Sequence, residues 1–144
     1  MKQHKAKAQW NGSLKEGNGE FETGRGNVKT GFSFASRFGD DTKATSPEEL
    51  IGAAHAGCFS MFLSALIDKK DLKADYIRTN ADVTLGETDG APTILKIELT
   101  VEGKVPNMQD ADFQQLVKDA KAGCPVSKAL AAVPEITVNA TLTE

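Results

Sequence analysis

Arginine is scarce in this 144-residue chain: Arg25, Arg37 and Arg78 are the only three among 17 basic residues. Cysteine is scarcer, with two, and Trp and Tyr occur once each. Each shortage excludes something. The lysines are scattered, no basic run is interleaved with aromatics, and the net charge is −3, so a nucleic-acid partner is not expected. No apolar stretch is expected to reach the ~20 residues of a membrane-spanning helix, so no membrane partner is expected. Met1-Lys2-Gln3-His4-Lys5 leads into an alternating strand pattern rather than an apolar signal core, which points to a cytoplasmic, reducing compartment. Two cysteines there argue against a permanent structural disulfide and raise redox or metal chemistry instead. With 40% hydrophobic and 26% charged residues, neither disorder nor low complexity fits. No repeat or linker composition interrupts the chain, and a single domain, 1–144, is expected.

Alternation of Ala6, Ala8 and Trp10 with polar neighbours predicts a half-buried strand. Residues 12 to 33 carry six glycines between short strand-like pieces near Gly19–Thr23 and Asn27–Ser33, a pattern of hairpins. Residues 34 to 45 read as a loop. Ser46, Pro47 and Glu49 then form a strong helix start, and the helix should run from Pro47 to about Lys69. Its body is apolar nearly all round, the mark of a helix buried on every side. One domain of this size could hardly surround it, so a partner subunit is expected to supply part of its cover. Strands follow at 77 to 85 (Ile77, Ala81, Val83 and Leu85 on one face), 94 to 102 (Leu95, Ile97, Leu99 and Val101) and 135 to 142 (Ile136, Val138, Ala140 and Leu142). Between the last two lie an amphipathic helix, about Asp110 to Ala122 with Phe113, Leu116, Val117 and Ala120 inward, and a shorter one, about Pro125 to Ala132. Runs of strands separated by helices give an α+β class.

Few residues are placed to carry chemistry. Cys124 stands in Gly123-Cys124-Pro125-Val126-Ser127, where Gly123 can end one helix and Pro125 open the next. A cysteine at a helix N-terminus is favoured as thiolate, although the same spot also suits a small buried hydrophobe. Cys58 sits mid-helix among Phe59, Phe62 and alanines, where a thiol is inert unless a cation is brought beside it. His55, one turn earlier, shares its face; a metal trio of His55, Cys58 and Cys124 is a weak signal without a fourth ligand, and a hydrogen-bonded core histidine is preferred. Arg78 lies on the polar face of its strand. Arg25 lies in a Gly-Arg-Gly turn, and Arg37 is framed by Phe34 and Phe38, which suits an arginine tucked against an apolar surface. Glu48, in the first helical turn, interacts favourably with the helix dipole; ten residues from Cys58, it is about 15 Å away along the axis and cannot touch that thiol of its own chain.

Two long stretches, Ser46-Pro47-Glu48-Glu49-Leu50-Ile51-Gly52-Ala53-Ala54-His55-Ala56-Gly57-Cys58-Phe59-Ser60-Met61 and, with its cysteine 66 residues further on, Ala120-Lys121-Ala122-Gly123-Cys124-Pro125-Val126-Ser127, closely resemble the OsmC/Ohr family (osmotically inducible protein C and organic hydroperoxide resistance protein). The resemblance extends to Ala8-Gln9-Trp10-Asn11-Gly12, and the Pro-Glu-Glu-Leu and Ala-Ala-His-Ala wording looks like the OsmC branch. It implies an α+β fold of antiparallel sheets around long central helices, in an intertwined homodimer with two active sites at the subunit interface. Cys58 matches the peroxidatic cysteine, Cys124 the resolving cysteine, and Glu48 the acidic residue that holds the active-site arginine. That arginine is Arg37 by the OsmC branch and Arg25 by the Gly-Arg turn of the Ohr branch, with Arg37 preferred. The implied activity is a thiol peroxidase that reduces organic hydroperoxides to alcohols through a Cys58 sulfenic acid and a Cys58–Cys124 disulfide, recycled by an external dithiol, with no metal, flavin or nucleotide cofactor. Its chief rival is a non-enzymatic, small-ligand-binding dimer whose thiols merely pack.

Overall fold

A computed structural model describes residues 1–144. Backbone contacts divide the chain into two compact units, Met1–Leu50 and Ile51–Glu144. The first holds β1 (Ala6–Asn11), β2 (Asn18–Thr23) and β3 (Lys29–Ser33), antiparallel in the order β1-β2-β3. Phe32 organises this sheet. Its ring stacks on Phe21 with centroids 3.9 Å apart and meets Trp10 at 5.4 Å. The half-burial expected of β1 is not found, for every one of its residues is exposed. β1 is an edge strand with a single neighbour, and the positions that alternate inward offer only two alanines and a Trp10 that leans on Phe32.

Residues 34 to 45, expected as a loop, open with a short helix, α1 (Phe34–Phe38). Ser33 caps it: the Ser36 N–H donates to Ser33 Oγ at 3.0 Å, and the Ser33 N–H donates to Ser36 Oγ at 2.9 Å. This reciprocal pair satisfies two backbone donors that a helix start leaves orphaned. The same device begins α2 (Pro47–Asp68) where the sequence calls for it. The Glu49 N–H donates to Ser46 Oγ at 3.1 Å, and the Ser46 N–H donates to the Glu49 carboxylate at 3.2 Å.

The second unit holds the rest of α2, β4 (Tyr76–Thr88), β5 (Ala91–Lys104), α3 (Asp110–Gly123), α4 (Pro125–Ala129) and β6 (Glu135–Thr143). β4 and β5 form one long antiparallel hairpin, longer than the alternation alone indicates. Its turn is Asp89-Gly90, both at positive φ (52° and 77°), the two-residue geometry that matches strand twist and that Asp-Gly favours. The register slips between Thr84 and Leu85, so Leu85 faces Ile94. The slip moves side chains across the sheet, and the core takes Ile94 in place of the expected Leu95 and Leu85. β6 pairs with β5 in parallel, which a tight turn cannot achieve, and α3 and α4 form the crossover between them.

The core gathers Phe59, Leu63 and Ile67 of α2, Ile97, Leu99 and Val101 of β5, and Phe113, Leu116, Val117 and Ala120 of α3. The α3 set is the one its 3.6-residue period predicts. On α2 the packed stripe is Gly52, His55, Phe59, Leu63 and Ile67, while Ala53, Ala54, Gly57, Met61 and Ala65 are exposed. At 22 residues α2 is long and apolar enough, by length and composition, to cross a bilayer. This departs from the expectation that no stretch reaches that size, because His55, Ser60 and Ser64 interrupt the run without outweighing it.

Candidate active site

The second unit brings its two sulfurs together. Cys58 lies on α2 at the seam between its packed and exposed faces and is half-buried; Cys124, at the junction of α3 and α4, is fully buried. The Sγ atoms are 3.1 Å apart, and both are free thiols. That is about 1 Å beyond a disulfide bond, so bond formation calls for a small local adjustment rather than refolding.

Local packing accounts for the approach. Gly123 is the last residue of α3, and it is not in the left-handed conformation that a glycine ending a helix often adopts. Its missing side chain matters instead, because a Cβ there would run into the Phe62 ring of α2. Glycine lets α3 end hard against α2, and Cys124 follows at once. Pro125 then opens α4, and Cys124 occupies its N-cap position.

The two thiols are pushed in opposite directions. Burial disfavours both thiolates. For Cys58 it is the largest influence and the neighbouring sulfur adds to it, so the thiol is held above its usual range, with the Val126 N–H opposing. For Cys124 burial is again the largest single influence. Here it is outweighed by the polar groups of Ser127 and Val126 at the start of α4 and by the neighbouring sulfur, and the thiol falls below its usual range. In contact at 3.1 Å, the two thiols titrate as a pair, with Cys124 Sγ placed to donate to Cys58 Sγ.

His55, fully buried, brings its Nε2 to within 2.7 Å of Ser127 Oγ, while its Nδ1 has no partner. Burial lowers its pKa and keeps the ring neutral. No group of three metal-ligating side chains converges anywhere in the chain. Ser127, the buried hydroxyl that meets His55, is not singled out by the sequence beyond its place in the Cys124 motif.

The first unit carries Arg37 and its acidic partner, Glu48. Arg37 on α1 binds Glu48 at the start of α2 in a forked arrangement, Nη2 to Oε1 at 2.8 Å and Nε to Oε1 and Oε2 at 3.0 and 3.3 Å. The Glu48 side chain is 8% exposed and that of Arg37 37%, so the carboxylate is buried while one edge of the guanidinium stays open. The guanidinium carbon lies 5.1 Å from the Phe38 ring, and Phe38 packs on Phe34 at 5.0 Å. Arg25, in the β2–β3 turn, lines an open cleft of about 460 Å³ with His4, Lys5 and Asn27. Arg78 pairs with Glu102 at 3.2 Å and lies over Tyr76, solvent-exposed on the sheet's outer face.

A close thiol pair, one sulfur buried and the other half-buried, and a forked arginine–glutamate pair are the features on which the chain can be compared with known proteins. The family model for OsmC-like proteins matches residues 39–139. The chain is 43% identical to the peroxiredoxin OsmC of Escherichia coli over 136 residues, covering 94% of this chain and 93% of that protein. It is 31% identical to the organic hydroperoxide resistance protein OhrA of Bacillus subtilis over 96 residues, 67% of each chain. Among solved structures, an OsmC-like protein from Vibrio cholerae superposes with a TM-score of 0.79 at 16% identity, covering 98% of this chain and all of that one. The organic hydroperoxide resistance protein OhrB of B. subtilis superposes at 0.68 with 23% identity, covering 96% and 98%. These structural likenesses speak for the fold. The α+β architecture is that of the OsmC/Ohr proteins, and the chain belongs to the OsmC-like family.

Proposed function

We propose that this protein is a thiol peroxidase that reduces organic hydroperoxides to alcohols, with Cys58 as the attacking sulfur and Cys124 as its resolving partner. The observation that carries the reading is the 3.1 Å separation of two free thiols that stand 66 residues apart in sequence. The names of its relatives, a peroxiredoxin and organic hydroperoxide resistance proteins, agree with a peroxide-directed redox role.

The Cys58 thiolate attacks the distal oxygen of the hydroperoxide. The O–O bond breaks, the alkoxide takes up a proton and leaves as the alcohol, and Cys58 becomes a sulfenic acid. The Cys124 thiolate then attacks the Cys58 sulfur, the S–O bond breaks, and the departing hydroxide takes a proton to become water. The resulting disulfide is returned to two thiols by an external dithiol, which is itself oxidised. No metal, flavin or nucleotide takes part.

The first step needs Cys58 ionised, against the local preference described above. A cation must reverse it, and Arg37 is the candidate, its guanidinium oriented by the fork from Glu48. In a homodimer, which we take as the working form, the second copy covers the exposed stripe of Ala53, Gly57, Met61 and Ala65 and presents its Arg37 to Cys58. Apolar side chains beside Cys58 favour alkyl hydroperoxides over hydrogen peroxide. The chemistry suits a reducing, cytoplasmic compartment, where the dithiol is available.

Peroxide-consumption kinetics of Cys58→Ser and Cys124→Ser test this. Cys58→Ser should fall to the uncatalysed rate. Cys124→Ser should accumulate a sulfenic acid and no intrachain disulfide. Full activity in Cys58→Ser, or two free thiols surviving stoichiometric cumene hydroperoxide in the parent protein, would overturn the assignment and favour a ligand-binding dimer.

A further inference from the structure

Cys124 stands where two helices meet, and its sulfur stays 3.1 Å from that of Cys58 only if the chain is fixed on both sides of it. On the α3 side, the close approach of Gly123 to the Phe62 ring does this. On the other side is α4, five residues long and too short to hold its place by helical hydrogen bonds alone. Val126 and Leu130 pack against the core, but apolar contact is non-directional and lets a short segment slide. One directional contact ties α4 to α2: Ser127 Oγ meets His55 Nε2 at 2.7 Å. His55 precedes Cys58 by three residues, and Ser127 follows Cys124 by three. The seam between the two helices is thus crossed twice, once by the sulfurs and once by this hydrogen bond. A histidine is a poor residue for filling the space alone. It is fully buried with Nδ1 unpartnered, a cost that Leu63 on the same stripe does not carry. What the ring adds is the Nε2 bond. Both partners are buried, so breaking the bond leaves polar atoms without water to replace it.

We infer that His55 and Ser127 are positioning residues whose hydrogen bond clamps α4 onto α2 and so holds the Cys124 sulfur within reach of Cys58. The clamp acts through distance: it raises the local concentration of one sulfur at the other. In the cycle above it speeds the attack of Cys124 on the oxidised Cys58 sulfur and leaves the attack on peroxide to Cys58. That meaning for turnover rests on the peroxidase reading; the geometry and the first test below do not.

The first test equilibrates the protein with reduced and oxidised glutathione, without peroxide. Two electrons pass from the thiol pair to glutathione disulfide: the Cys58–Cys124 bond forms, the glutathione S–S bond breaks, and the two protons go to the two glutathione thiols. The equilibrium reads the effective concentration of one protein thiol at the other. Ser127→Ala, which removes a single buried oxygen, and His55→Leu should each lower it about fivefold, the weight of one net hydrogen bond. The double variant should fall no further than either single one, because the two residues act as one contact. His55→Gln, whose amide nitrogen can stand near the position of Nε2, should recover most of the loss. A role in stability alone would lower the melting temperatures of the reduced and oxidised proteins equally and leave the effective concentration unmoved. That outcome overturns the inference, as do single losses that multiply in the double variant, or a His55→Gln value as low as that of His55→Leu. The second test adds stoichiometric cumene hydroperoxide. Ser127→Ala should slow disulfide formation by the same factor, while sulfenic acid trapped with dimedone forms at the parent rate. If the parent consumes no peroxide, the peroxidase reading fails and the glutathione equilibrium alone decides the clamp.

Discussion

On one face of α2, His55, Phe59, Leu63 and Ile67 are sealed into the core at 0% exposure; on the other, Met61 stands 78% exposed in a stripe of Ala53, Gly57 and Ala65. Both faces are apolar in composition. They differ in size: the core face carries the large side chains that fill the core with β5 and α3, and the exposed face, Met61 apart, carries small ones that let another backbone come close. Cys58 lies on the seam between them, touching the core on one side and open on the other. An apolar helix can thus hold a nucleophile at a boundary, with one face fixing its position and the other left for whatever brings a charge.

The contrast is sharpest in stability. Phe59→Ala should destabilise the fold by about 3–5 kcal/mol, since a fully buried ring leaves a cavity. Met61→Ala should change it by no more than about 0.5 kcal/mol in the single chain. Denaturant unfolding of both variants checks this, and a Met61 effect near that of Phe59 would mean that the stripe is covered. Met61→Glu separates the cases. A covered stripe would have to bury its charge, so sedimentation should show dissociation to single chains, whereas an open stripe would tolerate it.

Next in size is the charge delivered across the seam. Arg37→Met should slow oxidation of Cys58 by cumene hydroperoxide about 10²–10³-fold, the usual consequence of losing one preorganised charge partner at a reacting atom. Arg37→Lys should recover only part, because a point charge cannot reproduce the fork to Glu48. Stopped-flow measurement at one pH suffices, and an equal rate for Arg37→Met would remove Arg37 from the cycle and direct attention to Arg25.

Much of this arrangement is legible in the residues. Ser46-Pro47-x-Glu49 announces the start of α2, the α3 period gives its four buried residues, and the length and apolarity of α2 imply that something must cover it. Other features are written in signals that compete or in geometry with no linear trace. The Ser33-x-x-Ser36 box is too short to be distinguished from a loop by periodicity. The slip at Thr84/Leu85 exchanges Leu95 for Ile94 in the core, and alternation cannot show it because both residues are apolar. Within the thiol pair, the motifs imply which cysteines matter. That the two thiols shift in opposite directions depends on what the α3–α4 junction gathers around Cys124, which has no linear trace.

Gly123→Ala tests that junction with a smaller effect. The added methyl group meets the Phe62 ring and must push α3 off α2, at about 1–3 kcal/mol for overpacking. The sulfurs should separate. Disulfide formation should slow while oxidation of Cys58 to the sulfenic acid keeps its rate, a split readable by trapping the sulfenic acid with dimedone. Slowing of both steps alike would mean that the junction positions Cys58 as well as Cys124.

The smallest effect concerns the proton shared by the thiols. The neighbouring sulfur adds to burial in holding Cys58 protonated above its ordinary range. Cys124→Ala removes that contribution and leaves burial and the Val126 N–H, so the midpoint of Cys58 should move down, by less than about one pH unit. The sign fixes the readout. Thiolate prevails above the midpoint, so at a fixed pH below it the alkylation of Cys58 by iodoacetamide should be faster in Cys124→Ala than in the parent. In Arg37→Met the same comparison should show a larger acceleration, because no guanidinium then masks the influence of the second sulfur. A slower Cys58 in Cys124→Ala would mean that Cys124 donates its proton to a Cys58 thiolate. The charge would then already rest on the seam of α2, with no need for a cation to bring it there.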